Sequence, residues 1–244
     1  MRDAWRQYRH RPLAIALTAA VPALTILVAA APLALQALVQ VAALVLGFLL
    51  ELFLVAYLAG ALGVRAQPAP DPGDQPPPAA DPGRPQPGVA EAWAATRRSI
   101  LPGLRAELLR LSYVLAAILG SLLLLGGVQE DSVAQRTRLL TGSSPLIGFM
   151  LAFLVVLRQP IVLHGERRVL AAAALSHRVA SSWFPLCLGI GLIDAAAVAV
   201  GNLPLRTGMV VLLGAAGALA QPYLVGISNA LYLRTRDQVS RPRS

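Results

Sequence analysis

The chain has 244 residues, 56% of them apolar and only 14% charged, and its formal net charge of +9 comes from arginine alone. Several uncharged runs approach the ~20 residues that cross a ~30 Å hydrocarbon core, which argues against a soluble core with one anchor. The arginines lie at the ends of these runs, so the basic charge indicates membrane topology and anionic lipid rather than nucleic acid. A single cysteine, Cys187, excludes an intrachain disulfide.

These patterns predict an all-α fold, a polytopic bundle of six spans with two amphipathic helices on its cytoplasmic face. The whole chain, 1–244, forms one membrane domain. The predicted spans are 12–31, 35–62, 102–125, 145–163, 185–200 and 209–233. The first run exceeds the 7–15 residues of a signal-peptide core, and a second run follows almost at once, so we expect a retained span.

Positive charge predicts the orientation of these spans. With the amino terminus inside, 18 of the 21 arginines fall in cytoplasmic segments. This asymmetry predicts a multi-pass protein of a bacterial inner membrane with both termini in the cytoplasm.

Residues 67–88 differ in composition from the rest of the chain. Nine of these twenty-two residues are proline. Such a segment cannot bury apolar area, and it predicts an extended cytoplasmic loop with polyproline II character. It serves either as a spacer or as a ligand for a proline-recognition domain.

Two basic runs, at about Ala90–Ile100 and Glu166–Ser182, are predicted to be surface helices. We expect Pro102 to separate the first of them from the next span, since proline suits the first turn of a new helix. Their arginines are candidates for binding anionic headgroups or docking a cytoplasmic protein partner. The alternative is that they only determine topology. The residues are Arg97, Arg98, Arg167, Arg168 and Arg178.

An offset of eighty residues aligns Thr96-Arg97-Arg98 with Ser176-His177-Arg178, as expected for a repeat of span, surface helix and span. With these motifs, and with Leu231-Tyr232-Leu233-Arg234 at the end of the last span, residues 35–240 resemble a family of six-helix bacterial membrane proteins. That family is related to the membrane domain of glycerophosphoryl diester phosphodiesterases. The resemblance implies an accessory membrane protein, because the family's catalytic barrel is a separate soluble domain and its membrane region carries no catalytic residues.

Three ionisable residues inside the predicted spans are candidates for a functional site, because burying them is costly. Glu51 and Arg158 both lie about fifteen residues from the outer ends of their spans, or ~22 Å deep, so they could meet. They could form a functional site or an ion pair that only holds the helices together, or Arg158 could snorkel to the inner interface. Asp194 has no clear partner; Asn202 or Gln221 could bond to it, or it could line a polar cavity or a proton relay.

No catalytic or metal-binding constellation is evident in the sequence. His10, His164 and His177 do not have metal-ligand spacing, and no phosphate-binding loop or nucleophile elbow is present. We therefore predict no catalytic residues, no cofactor and a non-enzymatic integral membrane protein that binds lipid or partners. The alternatives are the membrane subunit of a transporter, similar to an ABC-type permease, and an intramembrane enzyme built around Glu51 or Asp194.

Overall fold

The computed structural model describes residues 14, 16–17, 33–62, 64, 88–124, 133–201 and 207–240. Within these ranges all regular structure is α-helical, which confirms the predicted all-α class. The helices are α1 Leu33–Gly60, α2 Val89–Leu124, α3 Val133–Ala152, α4 Arg158–His164, α5 Val169–Ser182, α6 Phe184–Gly201 and α7 Thr207–Ser240. The predicted first span and the proline-rich loop lie almost wholly outside the described residues.

The second half of α1 forms the centre of the main core. Every residue from Leu52 to Ala59 is buried, because α2, α4 and α7 pack around this helix. An α-helix that is apolar on all sides requires such an environment. The buried Asn229 of α7 donates a hydrogen bond of 3.0 Å from Nδ2 to the carbonyl oxygen of Val55, which joins α7 to α1.

The expected separation of a surface helix from the span at Pro102 is wrong, since α2 continues through this residue. Proline cannot donate the helical hydrogen bond, and in a helix interior it costs ~3 kcal/mol. Small residues on the buried face of α2 pack closely on both sides of Pro102. Gly103 lies against Leu52, and Ser99 Oγ donates to the carbonyl oxygen of Ile161 at 3.4 Å.

The predicted span 145–163 is not one helix either. Helix α3 begins twelve residues earlier and continues through Pro145, and turns at 153–157 separate it from α4. Pro160 has no N–H for a continuous helix here, but it occupies the first turn of α4, where none is needed. Within the turns, the backbone N–H of Val156 donates to a side chain, Ser176 Oγ of α5, at 3.3 Å.

Helices α5 and α6 meet at a bend of 114° around Trp183. Helix α5 begins at Val169, so Arg167 and Arg168 precede the surface helix that was predicted to contain them. Helix α7 continues through Gln221 and Pro222.

Among the described residues, one helix, Val89–Leu123, is long and apolar enough to cross a membrane. The bent pair Val169–Ser182 and Phe184–Ala196 adds a second if its two parts are counted as one broken span. The parts Val45–Gly60 of α1 and Gly142–Ala152 of α3 are apolar over a shorter length. The helical class is thus confirmed, whereas six spans stay a prediction.

Candidate functional site

A network of charged and polar side chains joins five helices. It includes the predicted pair and two residues that the sequence analysis did not select. Its members are Glu51 of α1, Glu107 and Arg110 of α2, Arg158 of α4, Asp194 of α6 and Gln221 of α7.

Arg158 lies at the centre of this network. Its Nη2 is 2.5 Å from Glu51 Oε2 and 2.6 Å from Glu107 Oε1, and its Nε donates to the same Glu107 oxygen at 2.8 Å. As the first residue of α4, Arg158 is positioned by the turns that interrupt the predicted span. Glu51 and Arg158 therefore meet as the sequence suggested, but through a guanidinium that two carboxylates share.

Asp194 has an ion-pair partner, although its position in the predicted span indicated none. Arg110 Nη2 donates to Asp194 Oδ2 at 2.8 Å. Gln221, one of the partners suggested for Asp194, donates instead from Nε2 to Glu51 Oε1 at 3.1 Å. The second suggested partner, Asn202, lies outside the described residues.

The sequence contained a signal for Glu107 and Arg110 that was not used. Both are ionisable residues inside the predicted span 102–125, the same criterion that selected Glu51. They are three residues apart on one helix and therefore share a face, with Arg110 Nη1 at 3.9 Å from Glu107 Oε2.

The network is unbalanced in charge and is exposed at one end. Among the described residues it contains three carboxylates and two guanidiniums, so one negative charge is left over when all five groups are ionised. The exposed fraction of the side chain is 19% for Arg158 at the centre and 38% for Asp194 at the edge. Leu192 and Ile193 beside Asp194 are exposed, so this carboxylate opens onto an apolar surface.

The predicted headgroup-binding arginines are all exposed, and in the described part of the chain none of them forms an ion pair. Arg97 and Arg98, with Ala94, line an open depression of about 390 Å³ near the start of α2. Trp93 is 47% exposed on the same turns of helix. A basic depression beside an exposed indole suits an anionic group at a membrane interface.

The two described histidines have structural contacts. His177 Nδ1 lies 2.8 Å from the carbonyl oxygen of Ala173, so this nitrogen donates and Nε2 accepts from the Tyr113 hydroxyl at 3.4 Å. The His177 ring also stacks on Phe153 with centroids 5.2 Å apart. His164 Nε2 accepts a short contact from Arg236, and burial lowers the pKa of His164 to about 4, with the Arg236 charge adding to the shift.

The part of the chain that the structure describes contains no group of three His, Cys, Asp or Glu residues placed to hold a metal ion. Cys187 is buried in the main core. No protein-family model matches the chain, and no curated protein or solved structure matches it either.

Proposed function

We propose that this chain is a non-enzymatic, multi-pass membrane protein that binds anionic lipid headgroups with the basic amino-terminal end of α2. The observation that carries this proposal is an exposed leucine stripe along α2, with side chains 49% to 84% exposed. Its members recur every three or four residues and so share one face. They are Leu101, Leu104, Leu108, Leu111, Leu115, Leu119 and Leu123.

The length of the leucine stripe matches a bilayer. Leu101 and Leu123 are 22 positions apart, which is about 33 Å along a helix that rises ~1.5 Å per residue. The hydrocarbon core of a bilayer is ~30 Å thick. Arg105 is exposed near the start of the stripe, about 6 Å from Leu101, where its long side chain can snorkel to the interface.

The basic end of α2 then lies at headgroup depth. Arg97 and Arg98 are within one turn of Leu101, and Trp93 precedes them by another turn. Each arginine near an anionic surface contributes ~1 kcal/mol of binding. The six-span topology, the bacterial inner membrane and the cytoplasmic position of this end belong to the same proposal, supported by the arginine distribution.

The test uses the full chain in lipid nanodiscs that contain phosphatidylglycerol and phosphatidylcholine. Native mass spectrometry compares the wild type with the double variant Arg97→Gln/Arg98→Gln. We expect the variant to lose selectivity for phosphatidylglycerol by roughly 30-fold, since two contributions of ~1 kcal/mol are removed. The control Arg97→Lys/Arg98→Lys keeps both charges and should retain most of the selectivity.

Equal lipid selectivity in the wild type and the glutamine variant would overturn headgroup binding at this end of α2. Membrane embedding is tested separately by alkaline carbonate extraction of cell membranes. An integral protein stays in the pellet, whereas release into the supernatant would contradict the proposal.

The transporter alternative is favoured by the charge network, to which α2 contributes Glu107 and Arg110 from within its apolar part. Intramembrane charges commonly mark transport paths. The same mass spectra test it. A stoichiometric ATPase retained with the wild type would support this alternative, and a chain that carries only lipid would count against it.

A further inference from the structure

We propose that the charge network is a proton-binding site, in which Asp194 takes up one proton and Arg110 then pairs with Glu107. The inference rests on the proposed membrane embedding, because an uncompensated negative charge is costly only away from water. The network has three carboxylates against two guanidiniums, and one proton removes the excess charge.

Counting the bonds of each carboxylate oxygen selects Asp194 as the acceptor. Both oxygens of Glu51 are bonded, one to Arg158 and one to Gln221. Glu107 Oε1 receives two contacts from Arg158, and Glu107 Oε2 lies 3.9 Å from Arg110. Within the described part of the chain, Asp194 has only its Oδ2 bonded, so Oδ1 keeps its lone pairs for a proton.

The surroundings of Asp194 also favour it as the acceptor. Its side chain is the most exposed among the five charged members, whereas Arg158 and Glu51 are about one-fifth exposed. In a membrane the apolar surface around Leu192 and Ile193 solvates a charged carboxylate poorly, which favours the neutral form of Asp194. The carboxylate gains an O–H bond and loses one ion pair, and no other covalent bond changes.

Arg110 can change partner with a small movement. Its Nη1 is already 3.9 Å from Glu107 Oε2, so rotation of its side chain completes that pair when Asp194 becomes neutral. The proton then leaves two glutamates balanced by two arginines. It also releases the polar link between α2 and α6, two helices that otherwise approach each other little.

Within the described residues, the helices packed around α6 offer no competing ionisable group at this point. The charges that face Asp194 are Arg110 and Glu107 of α2, Glu51 of α1 and Arg158 of α4. Helix α7 contributes the neutral Gln221. The charged residues of α7 begin at Arg234, more than three turns away along the helix. On α5, His177 is held by Ala173 and Tyr113, and α3 has no ionisable residue from 142 to 152.

The experiment is an infrared pH titration of the full chain in lipid nanodiscs, which follows the carbonyl stretch of protonated carboxyl groups. We expect the wild type to show a band for one protonated carboxyl group per chain that Asp194→Asn lacks. Asp194→Glu should restore the band at a shifted frequency, and Glu166→Gln, a change outside the network, should leave the band unchanged. Incorporation of Asp194→Asn into nanodiscs at the wild-type yield shows that the loss of the band is not caused by misfolding.

A band that persists in Asp194→Asn, or one that keeps the wild-type frequency in Asp194→Glu, would overturn the assignment to Asp194. Failure of the membrane proposal has a different signature, because the wild type would then not incorporate into nanodiscs or resist carbonate extraction. A wild type that incorporates and shows no such band would overturn proton binding alone.

Discussion

Gly191 on α6 lies so close to Gly148 on α3 that a Cβ on Gly191 would overlap the carbonyl oxygen of Gly148. The same Cβ would lie 2.8 Å from the backbone nitrogen of Ala152. Two facing glycines thus let the backbones of α3 and α6 come into contact. Asp194 follows Gly191 by less than one turn, so this helix crossing also positions the carboxylate at the edge of the charge network.

We expect Gly191→Ala to destabilise the fold by about 3 kcal/mol, because the atoms in the way are backbone atoms that cannot rotate aside. The matched control is Gly189→Ala on the same helix, where a Cβ meets nothing within 4 Å. That change should be neutral or stabilising by up to ~1 kcal/mol, since alanine favours helix over glycine. Unfolding of both variants in detergent measures the difference, and equal effects would contradict the close crossing.

The Glu51–Arg158 contact should appear as a coupling energy. We expect Glu51→Gln to lower the free energy of unfolding by about 2 kcal/mol, because Arg158 then keeps only Glu107. Arg158→Gln should cost more, since it leaves two carboxylates without their shared partner. A double-mutant cycle should give a coupling of about 1–3 kcal/mol, whereas additive losses would exclude direct coupling.

His164 should make the folded protein sensitive to acid. His164 lies outside the predicted span 145–163. Burial and the nearby Arg236 hold the pKa of His164 at about 4, below its ordinary value of 6.5. Between these two values the unfolded chain binds a proton at His164 that the folded chain does not. The free energy of unfolding should therefore fall as the pH drops from about 6.5 to about 4, and this contribution is absent above 6.5.

Unfolding titrations at several pH values measure this slope in the wild type and in His164→Gln, which removes the ionisable ring. The control His177→Gln also loses one histidine but should keep the contribution of His164. If His164→Gln has the same slope between pH 6.5 and 4 as the wild type, the explanation from His164 is wrong.

A charge introduced into the leucine stripe of α2 should cost more insertion free energy the deeper it lies in the hydrocarbon layer. Leu115→Asp places a carboxylate well inside the proposed hydrocarbon layer and should cost ~3 kcal/mol of insertion free energy. Leu101→Asp is the matched control at the end of the stripe, where an aspartate can reach the interface. Membrane insertion assays compare the inserted fractions, and equal tolerance of both changes would indicate that the stripe does not face lipid.

The prolines show that a local sequence rule does not decide where a helix is interrupted. Pro160 lies in the first turn of a helix that follows a break. The other three prolines lie within helices that continue, at Pro102, Pro145 and Pro222. A local rule predicts a break at each of them at ~3 kcal/mol. Whether a helix continues depends on its tertiary contacts, such as the packing of Gly103 against Leu52, and these are not visible in a window of sequence.

The all-helical class and the apolar runs of helix were determined by the sequence alone, because hydropathy and helix propensity are local properties that add along a segment. The five predicted headgroup-binding arginines are exposed for an equally local reason, because an unpaired charge is costly to bury. The partners within the network were decided only by the tertiary structure. Asp194 pairs with Arg110, which is 84 positions away in the sequence, and Glu51 accepts a hydrogen bond from Gln221, which is 170 positions away. Such pairs depend on where helices cross and in which direction each side chain points, and residue spacing does not contain that information.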